Sequence, residues 1–139
     1  MNKEFKILDH PADLGIEARG PTLADAFSMA AVGLMSVILD LSTVSPKEEK
    51  EIIVTAGDVE QLLVKWLSEI LYLYDGRRFV CKEFAIHRLE PTGLRAVVRG
   101  EEFSEAKHRT KLDVKAITYH QLLVEEKNDG GLIRVYVDI

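Results

Sequence analysis

Cys81 is the only cysteine in the chain, so no disulfide can close within it and no group of thiolates can hold zinc. A reducing, cytoplasmic compartment is the expectation. Long apolar runs are missing too. No stretch reaches the roughly 18 consecutive apolar residues that a membrane-spanning helix needs, and Met1 to Lys6 carries charge where a signal peptide requires an apolar segment. The chain therefore reads as neither secreted nor membrane-spanning. A surplus of positive charge is also absent: 18 basic residues stand against 23 acidic ones, for a net charge of −5 and a pI near 5.4, the reverse of the footprint of a protein that grips nucleic acid unaided. Gly15 and Gly20 have the wrong spacing for a phosphate-cradling loop, and no His-Glu-x-x-His pattern or nucleophile elbow is present.

What remains is ample for a packed core. The 139 residues are 47% hydrophobic and 29% charged, which excludes a disordered, solvating chain and fits one domain spanning 1–139. Phe5 and Ile7 alternate over Glu4 to Leu8, and Asp9, His10 and Pro11 interrupt the pattern with turn chemistry. Alternation resumes after Asp13, with Leu14, Ile16 and Ala18 opposite Gly15, Glu17 and Arg19, so two strands flank an early polar loop. Thr22 and Asp25 resemble a capping box for a helix over Leu23 to Leu39, whose apolar positions recur at steps of three and four. Its small side chains would let a sheet approach closely, and deep burial is expected. Asp40 to Lys50 reads as a loop and Ile52 with Val54 as a short strand. Asp58 and Gln61 start a second helix, its stripe running from Leu63 through Trp66, Leu67 and Ile70 to Tyr74, with Gly76 as a left-handed stop. From Phe79 the period changes to two, giving a hairpin turned at Glu90 to Gly93. A polar stretch over Gly100 to Lys111 precedes a second hairpin, from Val114 to Val124 and Ile133 to Ile139, turned at Asn128 to Gly131. The pattern predicts an α+β domain: a mostly antiparallel β-sheet packed with two amphipathic helices.

The last strand is the most informative segment for chemistry. Ile133, Val135, Val137 and Ile139 take one face, and Arg134, Tyr136 and Asp138 the other. Asp138 and the terminal carboxylate of Ile139 would then lie within a few ångströms, and such oxygen donors suit hard ions such as Ca²⁺, Mg²⁺ or Mn²⁺. Asp13, from the early loop, is the candidate third donor. The competing readings are a solvated tail charge for Asp138 and a turn former for Asp13. His10 could ligate through nitrogen, although a histidine beside a proline in a turn more often packs or caps. His87, His108 and His120 lack metal-ligand spacing, Cys81 reads as a small buried residue, and Glu101, Glu102 and Glu105 read as a hydrated loop. Arg77, Arg78, Lys82, Arg88, Arg95 and Arg99 concentrate in the middle hairpin, followed by Lys107, His108, Arg109 and Lys111. That basic band, set against an acidic pole at Asp9, Asp13 and Asp138, would suit docking to a larger partner.

Five separated blocks, in order, resemble the archease family over essentially the whole chain: His10 to Ile16, Thr22 to Phe27, Val64 to Leu71, Val114 to His120 and Arg134 to Ile139. Pro11 stands where the family has threonine, and Leu132 where it often has an aromatic. The resemblance implies an archease-like sandwich and a non-enzymatic activator of the tRNA-splicing RNA ligase, which joins an RNA 3′-phosphate or 2′,3′-cyclic phosphate end to a 5′-hydroxyl. It implies help with ligase guanylylation and multiple turnover and a broadened nucleotide choice, with RNA engaged only indirectly. It also implies a divalent cation, Ca²⁺ first and Mg²⁺ or Mn²⁺ as alternatives, held by Asp13, Asp138 and Ile139. The resemblance also implies an alternative role as a chaperone or modulator of a tRNA methyltransferase; the enzyme alternative is a metal-dependent phosphoesterase, for which no general base or second metal cluster is visible.

Overall fold

A computed structural model describes residues 2–9 and 13–139. His10, Pro11 and Ala12 of the early loop lie outside them. The expected two helices and antiparallel strands are present, and the strands form two sheets. In the larger, β1 (Glu4–Asp9), β2 (Asp13–Gly20) and β8 (Gly130–Asp138) lie in that order, with both β6 (Ala116–Ile117) and β7 (Leu123–Lys127) pairing along the far edge of β8. In the smaller, β5 (Gly93–Glu102) is flanked by β3 (Glu48–Thr55) and β4 (Phe79–Glu90). Every strand pairing among the described residues is antiparallel. The fold is α+β, and one connected hydrophobic core draws on both sheets and both helices.

Helix α1 (Leu23–Ile38) begins as the sequence predicts, with Thr22 Oγ1 accepting the Asp25 N–H at 3.1 Å. It packs on β1, β2 and β8 of one sheet and on β4 of the other, and none of its residues is exposed. That explains its small residues: a Cβ on Gly33 would come within 2.8 Å of Ile16 Cγ2. The end of α1 is completed from far along the chain. The N–H groups of Lys111 and Leu112 donate to the carbonyls of Ile38 and Val37, satisfying acceptors that a helix C-terminus otherwise leaves orphaned. Helix α2 (Val59–Asp75) is capped by Asp58, which accepts from the Gln61 N–H at 2.8 Å. It lies across α1, where the Trp66 indole N–H donates to the Phe27 carbonyl at 3.0 Å.

Four local expectations change. Gly76 is right-handed (φ −92°), and the left-handed residue that turns the chain out of α2 is Arg78 at φ 52°, its guanidinium over the rings of Tyr74 and Phe103 at 4.8 and 4.4 Å. Cation–π stacking helps hold a conformation a side-chain-bearing residue rarely adopts. The loop expected to Lys50 ends earlier: Leu41–Thr43 is a 3₁₀ turn and β3 starts at Glu48. Val114 to Val124 is two short strands, interrupted where Gln121 takes φ 51°. The polar stretch from Gly100 carries β5 as far as Glu102.

Candidate functional site

Register places the acidic residues. In the β2–β8 pairing Asp13 stands directly opposite Asp138, Gly15 opposite Tyr136, Glu17 opposite Arg134 and Arg19 opposite Leu132. Residues that face each other share a side of the sheet. The intervening Ile16, Ala18, Ile133, Val135 and Val137 are fully buried toward α1, so the aspartate pair lies on the opposite, outer face. Asp13 is therefore the first residue of a strand and not part of the early loop. In an antiparallel pair the Cβ atoms of such partners are about 5 Å apart. Asp13 is only 7% exposed, Asp138 is exposed, and the other neighbour of Asp138 is Ala116 of β6, whose methyl group leaves space. The Lys115 N–H donates to the Asp138 carbonyl at 2.8 Å, which ties down the end of β8. Ile139, 39% exposed, follows the last strand residue. Among the described residues no three His, Cys, Asp or Glu side chains converge closely enough to hold a metal. Among the described residues the acidic corner is thus a pair of side chains, Asp13 and Asp138.

The next two rungs of this face are also withdrawn from water. Tyr136 lies on Gly15, where a Cβ would come within 2.8 Å of its Cε2. Beyond it, Glu17 accepts from Arg134 at 2.7 Å and has Arg19 at 3.7 Å. The Arg134 hydrogen bond holds the Glu17 carboxyl below its ordinary range against the opposing effect of burial, helped by the charges of Arg134, Arg19 and Lys6.

Comparison of the whole chain with known proteins gives one family. The profile of the Archease protein family (MTH1598/TM1083) matches residues 5–139. The chain belongs to the archease family. Protein archease of Methanosarcina acetivorans is 38% identical, the alignment covering 100% of this chain and 98% of the relative. The solution structure of Methanobacterium thermoautotrophicum protein 1598 superposes with a TM-score of 0.80 at 29% identity, covering 97% of this chain and 98% of the other. The crystal structure of a Thermotoga maritima archease, described as a possible chaperone, shares the fold at a TM-score of 0.66 and 20% identity, with 96% of each chain covered.

Cys81, Glu101 and the middle hairpin, also singled out for chemistry, lie apart from the Asp13–Asp138 pair. Cys81 is buried, and burial pushes its thiol up to about 12, against a smaller opposing effect of Lys50. Glu101 is not a hydrated loop residue. It is buried and accepts from Lys107 Nζ at 2.7 Å, His108 Nε2 at 2.8 Å and the Ser45 N–H at 2.9 Å, with Lys47 Nζ at 3.4 Å. The His108 side chain is fully enclosed, and its Nδ1 accepts the Ser104 N–H at 2.9 Å, so the Nε2 proton points at Glu101. Nor is the middle hairpin a free basic band. Arg88 pairs with Glu90, Arg95 with Glu51, and Arg99 with Glu49 and Glu83, while Lys82 donates to the Val44 carbonyl. Three arginines meet four glutamates there, which leaves a face of mixed charge. No helix of the described residues is long and apolar enough to cross a membrane.

Proposed function

We propose that the chain is a non-enzymatic activator of the tRNA-splicing RNA ligase, promoting ligase guanylylation and multiple turnover through its acidic corner. Family membership supports this reading, and the observation that carries it is the register opposing Asp13 to Asp138. Like charges directly opposite one another destabilise a strand pair, and a purely oxygen donor set matches a hard divalent cation. Asp13, Asp138 and the carboxylate of Ile139 would hold the ion, Ca²⁺ first and Mg²⁺ or Mn²⁺ as alternatives. A divalent ion supplies neutralisation of the charge that develops when a ligase nucleophile attacks a nucleotide phosphate.

The chain's own residues divide the work. The strand pairing and low exposure of Asp13 fix one carboxylate in place, while Asp138, exposed at the rim of the sheet, presents the corner to a partner.

Asp13→Asn and Asp138→Asn keep the side-chain shape and remove the charge. Both variants should fold as the parent does by circular dichroism and leave ligase guanylylation at its unstimulated rate. Normal stimulation by both variants rules the corner out. If guanylylation is unaffected by the parent chain itself while light scattering of an aggregating tRNA methyltransferase falls, the chaperone reading replaces this one.

A further inference from the structure

Beside the aspartate pair stands a built aromatic wall. Two residues along a strand is a step of about 6.8 Å, and at that distance from the Asp13–Asp138 rung the outer face carries Leu8, Gly15 and Tyr136 side by side. The Tyr136 ring lies on the bare backbone of Gly15, in space that any larger residue there would occupy: an added Cβ would meet Tyr136 Cε2 at 2.8 Å, Leu8 Cβ at 3.0 Å and Tyr136 Cζ at 3.1 Å. Tyr136 is 8% exposed although it belongs to the face turned away from α1.

Its other side is closed by the segment between β6 and β7. The Thr118 hydroxyl donates to the Tyr136 carbonyl at 2.9 Å and accepts the His120 N–H at 3.2 Å. Next in the chain is Gln121, left-handed at φ 51°, a conformation that costs a residue with a side chain of the order of 1 kcal/mol or more. The turn brings the His120 ring edge-on to Tyr136, with centroids 6.1 Å apart and planes at 68°. The glycine seat and the His120 ring meet the Tyr136 ring from two directions, while the Thr118 hydroxyl ties the same turn to the Tyr136 main chain.

We infer that Tyr136, seated on Gly15 and braced by His120, is a positioning residue for the Asp13–Asp138 pair: it excludes water from one flank of the corner and restricts the carboxylates to the arrangement that receives a divalent cation. The inference rests on the metal reading above. Residues that orient metal ligands typically contribute 10- to 100-fold to affinity.

The test is titration with Ca²⁺ alone by isothermal titration calorimetry, alongside the thermal midpoint of each variant. Tyr136→Phe keeps the ring and should keep parental affinity. Tyr136→Leu and Gly15→Ala should each weaken Ca²⁺ binding by about 10-fold, and His120→Ala, which removes only an exposed side chain, should weaken it in the same direction with the midpoint unchanged. Rescue by phenylalanine but not leucine separates positioning from simple filling of space. Parental affinity in both Tyr136→Leu and His120→Ala overturns the inference, as does equal loss in Tyr136→Phe and Tyr136→Leu. An Asp13→Asn control that binds Ca²⁺ like the parent overturns the metal reading instead, and the inference with it. If Tyr136→Leu does not fold, His120→Ala decides alone: weakened Ca²⁺ binding at an unchanged midpoint supports the inference, and parental affinity overturns it.

Discussion

Removing the charge at Glu101 gives a sharp test of how the long connection after β5 is held. The carboxylate is 7% exposed and takes Lys107, His108 and the Ser45 N–H, with Lys47 nearby. Burial raises its carboxyl pKa, but hydrogen bonds from Lys107, Ser45 and His108 and the Lys107 charge outweigh it and hold the group far below the usual carboxylate range. In Glu101→Gln the amide oxygen can still accept from the enclosed His108, while Lys107 and Lys47, 40% and 67% exposed, return to water. Hydrogen bonds to a charged group contribute about 1.5 to 3 kcal/mol and neutral ones about 1, so converting them puts the loss at about 2 kcal/mol. Glu101→Ala also strands the Nε2–H of His108 and the Ser45 N–H, and about 3 to 5 kcal/mol is expected. For a chain of this size 2 kcal/mol lowers the thermal midpoint by roughly 6 to 10 °C. The sign with pH follows from the depressed pKa. The unfolded carboxyl takes up its proton first as pH falls, so the parent's advantage over Glu101→Gln is complete above the ordinary glutamate range and shrinks progressively below about pH 4.3. Circular dichroism melts of both proteins between pH 7 and pH 3 provide the assay. Equal midpoints at pH 7, or a gap that stays constant down to pH 3, would refute the reasoning.

Two further outcomes follow from burial and close approach. Cys81, its thiol pushed up to about 12, should fail to react with a thiol reagent at pH 8 in the native state and react fully in denaturant; fast native labelling would mean that β4 opens readily. Gly100→Ala would set a Cβ 1.8 Å from the Val80 carbonyl oxygen and 2.7 Å from its carbon, a clash with main chain that no rotamer change relieves. Its cost should exceed the about 1 to 3 kcal/mol of ordinary overpacking, read as a lost urea midpoint, and a parental midpoint would show that β4 and β5 separate without penalty.

The helices were legible because their signals are local. Thr22 and Asp58 cap the helices predicted for them, and the three-and-four spacing from Phe27 to Ile38 names the buried side of α1. The alternation in 14–19 and in 133–138 likewise assigned each residue to its face correctly. Signals that depend on distant partners were unreadable. Nothing near Glu101 announces that Ser45, some 56 positions earlier, will donate to it, so a cluster of glutamates reads as hydrated. The arginines of the middle hairpin look like a basic band until β3 lays Glu49 and Glu51 beside them.

Amphipathic period and cap chemistry are written within a few residues, and they were enough to settle the element types, the inward faces and the α+β class. The acidic corner was half legible: the sequence put Asp138 on an outward face and nominated Asp13. Only the pairing of β2 with β8 set the two opposite each other and slid Tyr136 onto Gly15, because strand register between segments more than a hundred residues apart is decided by packing both against α1. A slip of one residue would have turned every one of these side chains into the core.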